Sequence, residues 1–257
     1  MHSTMARINW KKGAVKVASV AGAILVWYLA TLVVGESLLL PSPWDVAVRI
    51  FTLPGDGAFL SRVWFSFSRI VGGFFLALPV GCVLAVLAGR FPVVETVLWP
   101  YMVTVKSIPV ASFIILALMA FSSATLSVFI SFLMVLPVVY GNLLGGVKSI
   151  DPAMTEMAEA FRLSFPKRLG YVWIPHIKPF LLSACSLSLG LAFKAGIAAE
   201  VIGLPRGSIG EALYESKAWF LTEDLFAWTV VIVLISVGFE KLFVALVRGG
   251  YALWEKR

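Results

Sequence analysis

An uncharged run from Ser107 to Val147 restricts the fold of this chain more than any other feature of its sequence. A helix rises about 1.5 Å per residue and the hydrocarbon core of a bilayer is about 30 Å thick, so the run is too long for one membrane helix. A serine pair at 122–123 divides it. The part before the pair is too short to span a bilayer, so its helix must begin upstream, near Leu98. Lys106 then lies within the membrane or at its edge, and Pro109 is expected to kink the helix.

The composition of the whole chain is that of a membrane protein. Of its 257 residues, 60% are hydrophobic and only 14% are charged, whereas about a quarter of the residues of a soluble domain are charged. The net charge of +7 indicates basic cytoplasmic loops that face anionic lipid. Nucleic-acid binding is not expected, because no basic stripe lies on a soluble face. Cys82 and Cys185 lie in apolar runs and are expected to be buried packing residues.

The apolar runs and the breaks between them predict an all-α membrane protein with about six transmembrane helices. The helices are expected at about 17–35, 59–89, 98–122, 125–145, 175–199 and 225–247. A cleaved signal peptide is the alternative for the first run, but that run is too long for the apolar core of a typical signal. Before the second run, Ser42 is expected to cap a short interfacial helix over about 44–51.

The distribution of basic residues predicts the orientation, because cytoplasmic segments collect Lys and Arg. With the N-terminus inside, the inner segments carry twelve basic residues and the outer segments carry four. The inner twelve are Arg7, Lys11, Lys12, Lys16, Arg90, Lys148, Arg162, Lys167, Arg168, Arg248, Lys256 and Arg257. Six spans then place both termini in the cytoplasm.

A polar segment at about 148–168, between the fourth and fifth spans, is expected to form a short amphipathic helix in the cytoplasm. Asp151 is a good N-cap, and Pro152 suits the first helical position. Apolar residues recur there at three- and four-residue spacing. They are Met154, Met157, Ala158 and Phe161. An ordinary interfacial helix that packs against lipid is the alternative interpretation.

The spacing around this helix resembles the cytoplasmic loop of permeases in ATP-binding-cassette importers. That loop reads Glu-Ala-Ala, three residues, Gly, nine residues, Ile, one residue, Leu-Pro. Glu156 and Ala158 match its first and third positions, and Pro175 closes it at the same distance. Val172 and Ile174 occupy the Ile and Leu positions.

Two residues depart from that pattern, because Met157 replaces the second Ala and Arg162 replaces Gly. Without the glycine, Leu163 and Ser164 are expected to form a looser turn than the one usually found there. Other segments resemble the subfamily that imports nitrate, sulfonates, taurine and similar solutes. They are residues 39–43, 107–109 and 194–200.

The resemblance implies the fold of a type I importer permease. It implies one permease domain over 1–257, with a core transport domain at about 60–250 and a coupling segment at about 148–168. The expected partners are a second permease copy, two cytoplasmic ATPase subunits that bind ATP and Mg²⁺, an extracytoplasmic solute-binding protein and membrane lipid. The chain itself is expected to bind no cofactor. The expected location is the plasma membrane of a prokaryote, and the expected solute is small and anionic, such as nitrate, a sulfonate, taurine or bicarbonate.

The same resemblance implies that the cytoplasmic helix docks in a groove of the ATPase and pushes the membrane helices when the ATPases close on ATP. Apolar side chains would supply contact area and acidic ones would set the orientation. The residues expected to dock are Glu156, Met157, Ala158, Glu159, Ala160, Phe161, Arg162 and Leu163.

Five residues in or beside the membrane helices are candidates for the transport pathway. They are Lys106, Ser107, Ser186, Gly190 and Lys194. Span five carries two stripes of small residues at a spacing of four. The first consists of Ala184, Ser188, Ala192 and Gly196, and the second of Ser186, Gly190 and Ala198, with Lys194 on the same stripe. Each stripe is able to serve one of three roles: packing within the chain, lining of a transport pathway, or contact with a second copy. Lys106 and Lys194 each have two possible roles: the lysine attracts an anionic solute, or its side chain snorkels to the membrane surface. For Lys194, pairing with Glu200 is a further alternative.

Other classes of protein fit the sequence less well. No glycine-rich loop ends in Gly-Lys-Ser or Gly-Lys-Thr, so ATP hydrolysis must reside elsewhere. No catalytic or metal-binding cluster stands out, so the chain is not expected to be an enzyme. An ion-coupled secondary carrier usually has acids deep in its helices, and the uncharged cores contain none. That carrier and the membrane scaffold of a vitamin or pyrimidine-precursor importer remain the alternatives.

Overall fold

The structure, a computed structural model, describes the backbone of residues 2–36 and 39–255 and the side chains of residues 15–36 and 39–252. The described backbone is helical and contains no strand. Its α-helices are α1 (His2–Val34), α2 (Pro43–Thr52), α3 (Phe59–Arg90), α4 (Pro92–Ser107), α5 (Val110–Leu118), α6 (Ser123–Lys148), α7 (Pro152–Ala160), α8 (Phe165–Arg168), α9 (Ile174–Gly203), α10 (Ile209–Ala218) and α11 (Thr222–Glu255). The side chains of Arg7, Lys11, Lys12, Lys256 and Arg257, which were used to predict the orientation, lie outside the described residues.

The number of helices that are able to cross a membrane agrees with the prediction. Among the described residues, five helices are long and apolar enough, and α4 with α5 provides a sixth if the bent pair is counted as one span. The five are α1, α3, α6, the continuous helix over Phe165–Gly203, and α11. The predicted all-α membrane fold is therefore confirmed, and each expected span has a counterpart.

The third predicted span differs most from expectation. Instead of one helix kinked at Pro109, α4 and α5 are separate helices that meet at an angle of 100°. The break has a local cause, because a proline disfavours the helical conformation of the residue before it. Ile108 accordingly has an extended ψ of 133°. The pair also begins earlier than Leu98, at Pro92, since proline suits the first helical position.

The chain divides into two compact units, of which the smaller comprises Met1–Phe59 and Ala212–Val231. In this unit Ser42 caps α2 as predicted, by accepting a hydrogen bond from the N–H of Asp45 at 3.2 Å. Arg49 of α2 donates to the carboxylate of Asp224 and, at 3.0 Å, to that of Asp56. The hydrogen bond with Asp224 raises the pKa of the Arg49 guanidinium further above its already high ordinary value. A permanently charged arginine therefore joins α2 to the first turn of α11.

The larger unit comprises Leu60–Glu211 and Ile232–Arg257, and α6 packs against α9 at its centre. A buried apolar cluster links α5, α6 and α9 there. Its residues are Ile114, Ala117, Leu126, Ile130, Ala195 and Ala199. The approach is close at Gly196, where a Cβ atom would lie 2.5 Å from Ile70 of α3 and 2.7 Å from the hydroxyl of Ser131 of α6. No side chain larger than hydrogen fits at that position.

The two small-residue stripes of α9 have different surroundings. Every member of the first stripe is buried; the members are Ala184, Ser188, Ala192 and Gly196. The hydroxyl of Ser131 donates to the carbonyl of Ala192 at 3.2 Å. On the second stripe Lys194 is exposed, and a Cβ atom at Gly190 would meet no atom within 4 Å. The first stripe therefore serves packing within the chain, and only the second is open to a pathway or a partner.

Aromatic side chains hold α11 beside α3 and α9 in the larger unit. The ring centroid of Phe239 lies 5.1 Å from that of Phe67 in α3 and 6.5 Å from that of Phe193 in α9. The rings of Phe243 and Phe74 lie 5.3 Å apart and edge to face. Such pairs each contribute about 0.5–1.5 kcal/mol beyond the area they bury. The last membrane helix is therefore attached through apolar contacts near its middle.

We expect Gly196→Ala to destabilise the protein by about 1–3 kcal/mol, because the new methyl group would overlap Ile70 and Ser131 in a packed interface. Gly190→Ala in the same helix is the matched control, since its methyl group would meet no neighbour. It should leave stability unchanged or raise it by up to about 1 kcal/mol through helix propensity. Chemical unfolding of both variants in detergent measures the difference, and equal stability would contradict the packing described for α9.

Candidate functional site

The amphipathic helix predicted between spans four and five is α7, and its first turn is built as expected. Asp151 accepts a hydrogen bond from the N–H of Ala153 at 2.9 Å, and Pro152 occupies the first helical position. The cap satisfies an N–H group that has no partner within the helix, and proline has no N–H to satisfy there. The N-cap prediction is therefore confirmed.

Most of the predicted docking residues lie on the surface of α7 and of the turn after it. The exposed ones are Glu156, Met157, Glu159, Ala160, Phe161 and Arg162. The side chain of Phe161 is 74% exposed and that of Met157 is 49% exposed, so apolar area is open to a partner. Leu163 is half-buried. Ala158 is completely buried within its own chain, which corrects its assignment to the docking residues.

The end of α7 keeps a tight turn although Arg162 stands where a glycine was expected. Arg162 has a φ of +48°, in the left-handed region. Its N–H donates to the carbonyl of Glu159 at 2.8 Å, and the N–H of Leu163 donates to the carbonyl of Ala158 at 3.0 Å. These two bonds form a Schellman motif. The looser turn expected at Leu163 and Ser164 is therefore wrong, and Arg162 adopts the left-handed conformation at a cost of roughly 1 kcal/mol relative to Gly.

The turn leads directly into the fifth span. α8, a π-helical turn over Leu169–Trp173 and α9 form one continuous helix. Arg168 of α8 donates to the carboxylate of Glu159 in α7 at 3.1 Å. α7 also contacts the π-helical turn, in which Val172 is buried. An ion pair and direct packing thus connect α7 to the beginning of α9.

Two polar contacts anchor the segment that precedes α7. The hydroxyl of Ser149, just after α6, lies 3.0 Å from Nε2 of His176 in α9. The ammonium group of Lys148, at the end of α6, lies 2.6 Å from the carboxylate of Glu95 in α4. Both sides of α7 are therefore connected to membrane helices, namely α4, α6 and α9.

The two pathway lysines are exposed on different helices. Lys106, with Ser107 beside it, lies in the last turn of α4, and its Nζ is 3.3 Å from the position that a Cβ of Gly141 would take. Lys194 is exposed on α9. Neither lysine forms an ion pair with a described residue. The alternative that Lys194 pairs with Glu200 is wrong, because Glu200 is buried and hydrogen-bonded to other groups.

The other two pathway candidates on α9 also differ from each other. Gly190 is half-buried with open space where a side chain would be. The hydroxyl of Ser186 donates to the carboxylate of Glu240 in α11, so it is already engaged within the chain. Among the described residues, no group of three or more His, Cys, Asp or Glu side chains is placed to hold a metal ion.

A buried polar node at the end of α9 was not predicted from the sequence. Glu200 is fully buried, and its Oε2 accepts a hydrogen bond from the hydroxyl of Ser66 in α3 at 2.5 Å. The same oxygen accepts from the N–H of Gly210 at 3.3 Å, and Ser66 accepts from the N–H of Ile209 at 2.9 Å. One carboxylate and one hydroxyl therefore join α3, α9 and the first turn of α10.

The node depends on a close approach of two backbones. A Cβ atom at Gly210 would lie 2.3 Å from Cβ of Glu200 and 2.6 Å from the backbone nitrogen of Val201, so only glycine fits. From the sequence, Glu200 is a possible partner for Lys194, and nothing local signals its actual partner Ser66. Two buried oxygens, Glu200 Oε1 and Ser127 Oγ, have no hydrogen-bond partner among the residues that the structure describes.

Comparison with known proteins gives one family and a consistent group of relatives. Residues 77–248 match the family described as binding-protein-dependent transport system inner membrane component. The chain is similar to the taurine transport system permease protein TauC of Escherichia coli (strain K12), at 25% identity over 96% of this chain and 94% of the relative. It is similar to the putative aliphatic sulfonates transport permease protein SsuC of Bacillus subtilis (strain 168), at 24% identity over 90% and 83%. The nitrate import permease protein NrtB of Synechocystis sp. is 24% identical over 87% and 82%.

We expect Ser66→Ala to destabilise the protein by about 1–3 kcal/mol, because the carboxylate of Glu200 and the N–H of Ile209 would each lose a partner in a buried site. Ser68→Ala is the matched control, since the hydroxyl of Ser68 donates only to the carbonyl of Phe65 in its own helix. Its effect should stay within about 0.5 kcal/mol. Unfolding in detergent measures both changes, and hydrogen exchange at the Ile209 amide should speed up in Ser66→Ala alone. Unchanged protection of that amide would contradict the bridging role of Ser66.

Proposed function

Because the chain belongs to the family of binding-protein-dependent transport system inner membrane components, we propose that it forms the membrane pathway of an ATP-driven importer and couples ATPase closure to alternating access. The chain is a multi-pass membrane protein and a permease subunit, and it is not an enzyme. The observation that carries the proposal is the exposed surface of α7, which is connected to the ends of three membrane helices.

The docking surface consists of the exposed residues of α7 and its turn: Glu156, Met157, Glu159, Ala160, Phe161 and Arg162. A short helix with exposed apolar side chains is suited to bind in a groove of a partner protein. Met157 and Phe161 supply the contact area, and Glu156 and Arg162 supply charges at the rim, which set orientation more than affinity. Ala158 supports this surface from beneath, because its small side chain lets α7 lie close to its own chain.

Short connections join the docking surface to the membrane helices, so movement of α7 is transmitted to them. The pair between Glu159 and Arg168 joins α7 to the continuous helix that includes α9. On the other side of α7, Ser149 joins α6 to His176 of α9. A push on α7 therefore acts on the ends of α6 and α9 together. This coupled displacement is the proposed step that converts closure of the ATPases into rocking of the permease.

The proposed solute is a small anion. Lys106 and Lys194 are exposed cations on membrane helices that no described acid neutralises. A cation in this position is unfavourable in lipid and is typical of an ion or substrate path. The relatives named for taurine, aliphatic sulfonates and nitrate support the same class, because each of these solutes carries an anionic group.

The proposed assembly contains two copies of this chain, two cytoplasmic ATPase subunits that bind ATP and Mg²⁺, and an extracytoplasmic solute-binding protein. The names of the relatives, all transport-system permeases, support these partners. The excess of basic residues in alternate segments supports a cytoplasmic location for α7 and for both termini. One permease domain, with its core transport domain at about 60–250, remains part of the proposal.

We expect Phe161→Ala to keep the chain folded and inserted but to weaken ATPase binding by roughly tenfold or more, because central apolar contacts dominate the affinity of such interfaces. Glu156→Lys should also keep the chain folded and inserted but uncouple ATP hydrolysis from uptake, because the charge of Glu156 sets the orientation of the docked helix. Co-purification of the ATPase subunit and solute-stimulated ATP hydrolysis in reconstituted membranes measure the effect. Ala158→Trp is a poor test of docking, because Ala158 is buried and the larger side chain would disrupt the packing of α7 itself.

Phe91→Ala is the control for Phe161→Ala, since it removes an exposed phenylalanine that is not part of the docking surface. It should leave ATPase binding unchanged. Wild-type ATPase binding and coupling in Phe161→Ala and Glu156→Lys would mean that α7 is an interfacial anchor. A cysteine placed at Ser164 that reacts only from outside would also contradict the proposal, because the docking surface must face the cytoplasm.

We expect Lys194→Met and Lys106→Met to lower anion uptake several-fold to about tenfold, because a cation raises the local concentration of an anionic solute in a narrow path. Assembly with the ATPase and basal ATP hydrolysis should stay at wild-type levels. Uptake by proteoliposomes, measured at low and high ionic strength, checks both statements. Unchanged uptake by both variants would leave snorkelling as the role of the two lysines.

A further inference from the structure

A cavity of about 870 Å³ lies between α9 and α11 in the larger unit. It shares Ser186 with the pathway candidates and no residue with the docking surface. Its polar lining consists of Ser183, Ser186, Glu240, Lys241 and Arg248. The rest of the wall is apolar and comes from the same two helices. The lining residues recur at three- and four-residue spacing on each helix, so the two helices face each other across the space.

Two of the three charged side chains that line the cavity are basic. Lys241 and Arg248 are both exposed, and neither forms an ion pair with a described residue. They stand seven positions apart, so they share one side of α11 at about 10 Å from each other along its axis. The acidic member of the lining, Glu240, accepts a hydrogen bond from Ser186 across the cavity. The two cations are therefore left to face an occupant.

The position of these cations restricts the chemistry of that occupant. Lys241 lies within the apolar span Thr222–Ala252. An anionic partner stabilises a cation on an apolar span, and hydrocarbon covers the apolar wall on both sides better than water does. A small soluble anion would pair with the cations but leave the apolar wall of the cavity in contact with water. A neutral lipid would cover that wall but leave the cations unpaired. An anionic lipid satisfies both, as in other basic pockets between membrane helices.

We propose that this cavity binds an anionic phospholipid. Its phosphate group lies between Lys241 and Arg248, and its acyl chains cover the apolar wall that includes Leu182, Leu187 and Val244. Ser183 offers a hydroxyl to the phosphate oxygens. Placement of the site in the cytoplasmic leaflet rests on the orientation given above, but binding of the lipid does not.

A second copy of the chain is a poorer occupant on grounds of charge. Two acids near the docking surface are already engaged, since Glu95 pairs with Lys148 and Glu159 pairs with Arg168. The chain as a whole carries a net charge of +7, so another copy offers more cations than carboxylates. A lipid phosphate is the anion that the membrane itself supplies.

The test uses the full chain purified with its ATPase partner in detergent, loaded with either phosphatidylglycerol or phosphatidylcholine, and native mass spectrometry to count retained lipid. The wild-type protein should retain phosphatidylglycerol in preference to phosphatidylcholine. Removing both cations in the double variant K241Q/R248Q should weaken retention of phosphatidylglycerol roughly tenfold or more. Retention of phosphatidylcholine should not change.

The double variant R90Q/K167Q is the matched control, because it removes two exposed basic residues that do not line the cavity. It should retain phosphatidylglycerol as the wild-type protein does, and equal loss in both double variants would overturn the proposal. Ala245→Trp keeps every charge but fills the cavity, so it should also lose phosphatidylglycerol; full retention by this variant would overturn the assignment of the site.

Two further outcomes separate the alternative occupants. Release of phosphatidylglycerol by excess inorganic phosphate would mean that the cavity is a small-anion site, which would overturn the proposal. A change in the number of permease copies in K241Q/R248Q, with lipid retention unaltered, would mean that a second copy covers the cavity. Transport failure in Lys194→Met leaves this test unaffected, because Lys194 does not line the cavity.

Discussion

The close packing of α6 against α9 is the contact on which the larger unit depends. Apolar side chains gain little from leaving lipid for another helix, so membrane helices associate where small residues let their backbones approach. Gly196 and Ala192 provide that approach, and Ser131 adds a hydrogen bond to the backbone of α9. Because α6 holds α9 in place, other segments attach to the two ends of α9. α7 is attached near one end of α9, and the buried Glu200 node lies at the other end.

The ends of α7, α9 and α10 show how this chain closes helices without glycine. Left-handed residues that are not glycine close three helices, namely Arg162 after α7, Leu204 after α9 and Phe220 after α10. Each such conformation costs roughly 1 kcal/mol and persists only where its surroundings determine it. At α7 the two Schellman hydrogen bonds and the buried Ala158 supply that determination. The turn between α7 and the fifth span is thereby held by hydrogen bonds and packing, as the proposed transmission of movement needs.

The structure separates side chains that hold the permease together from side chains that face a partner or lipid. Ala158 and the Gly196 stripe are buried and serve packing, although the sequence placed Ala158 on the docking surface. Met157 and Phe161 remain open beside the buried Ala158. The cavity between α9 and α11 is a third kind of surface, since lipid is part of the solvent of this protein and fills what side chains do not.

The sequence by itself determined the helical membrane fold, every span except the third and the position of α7, because apolar length, proline, caps and helical spacing act on neighbouring residues. It also indicated the family through the spacing from Glu156 to Pro175. Only the tertiary structure decided the 100° angle between α4 and α5, which packing sets once Pro109 has broken the helix. It alone decided which stripe of α9 is buried and that Ser66 meets Glu200 across 134 positions. Contacts at such separation leave no periodic trace in a single sequence, since they depend on how whole helices pack.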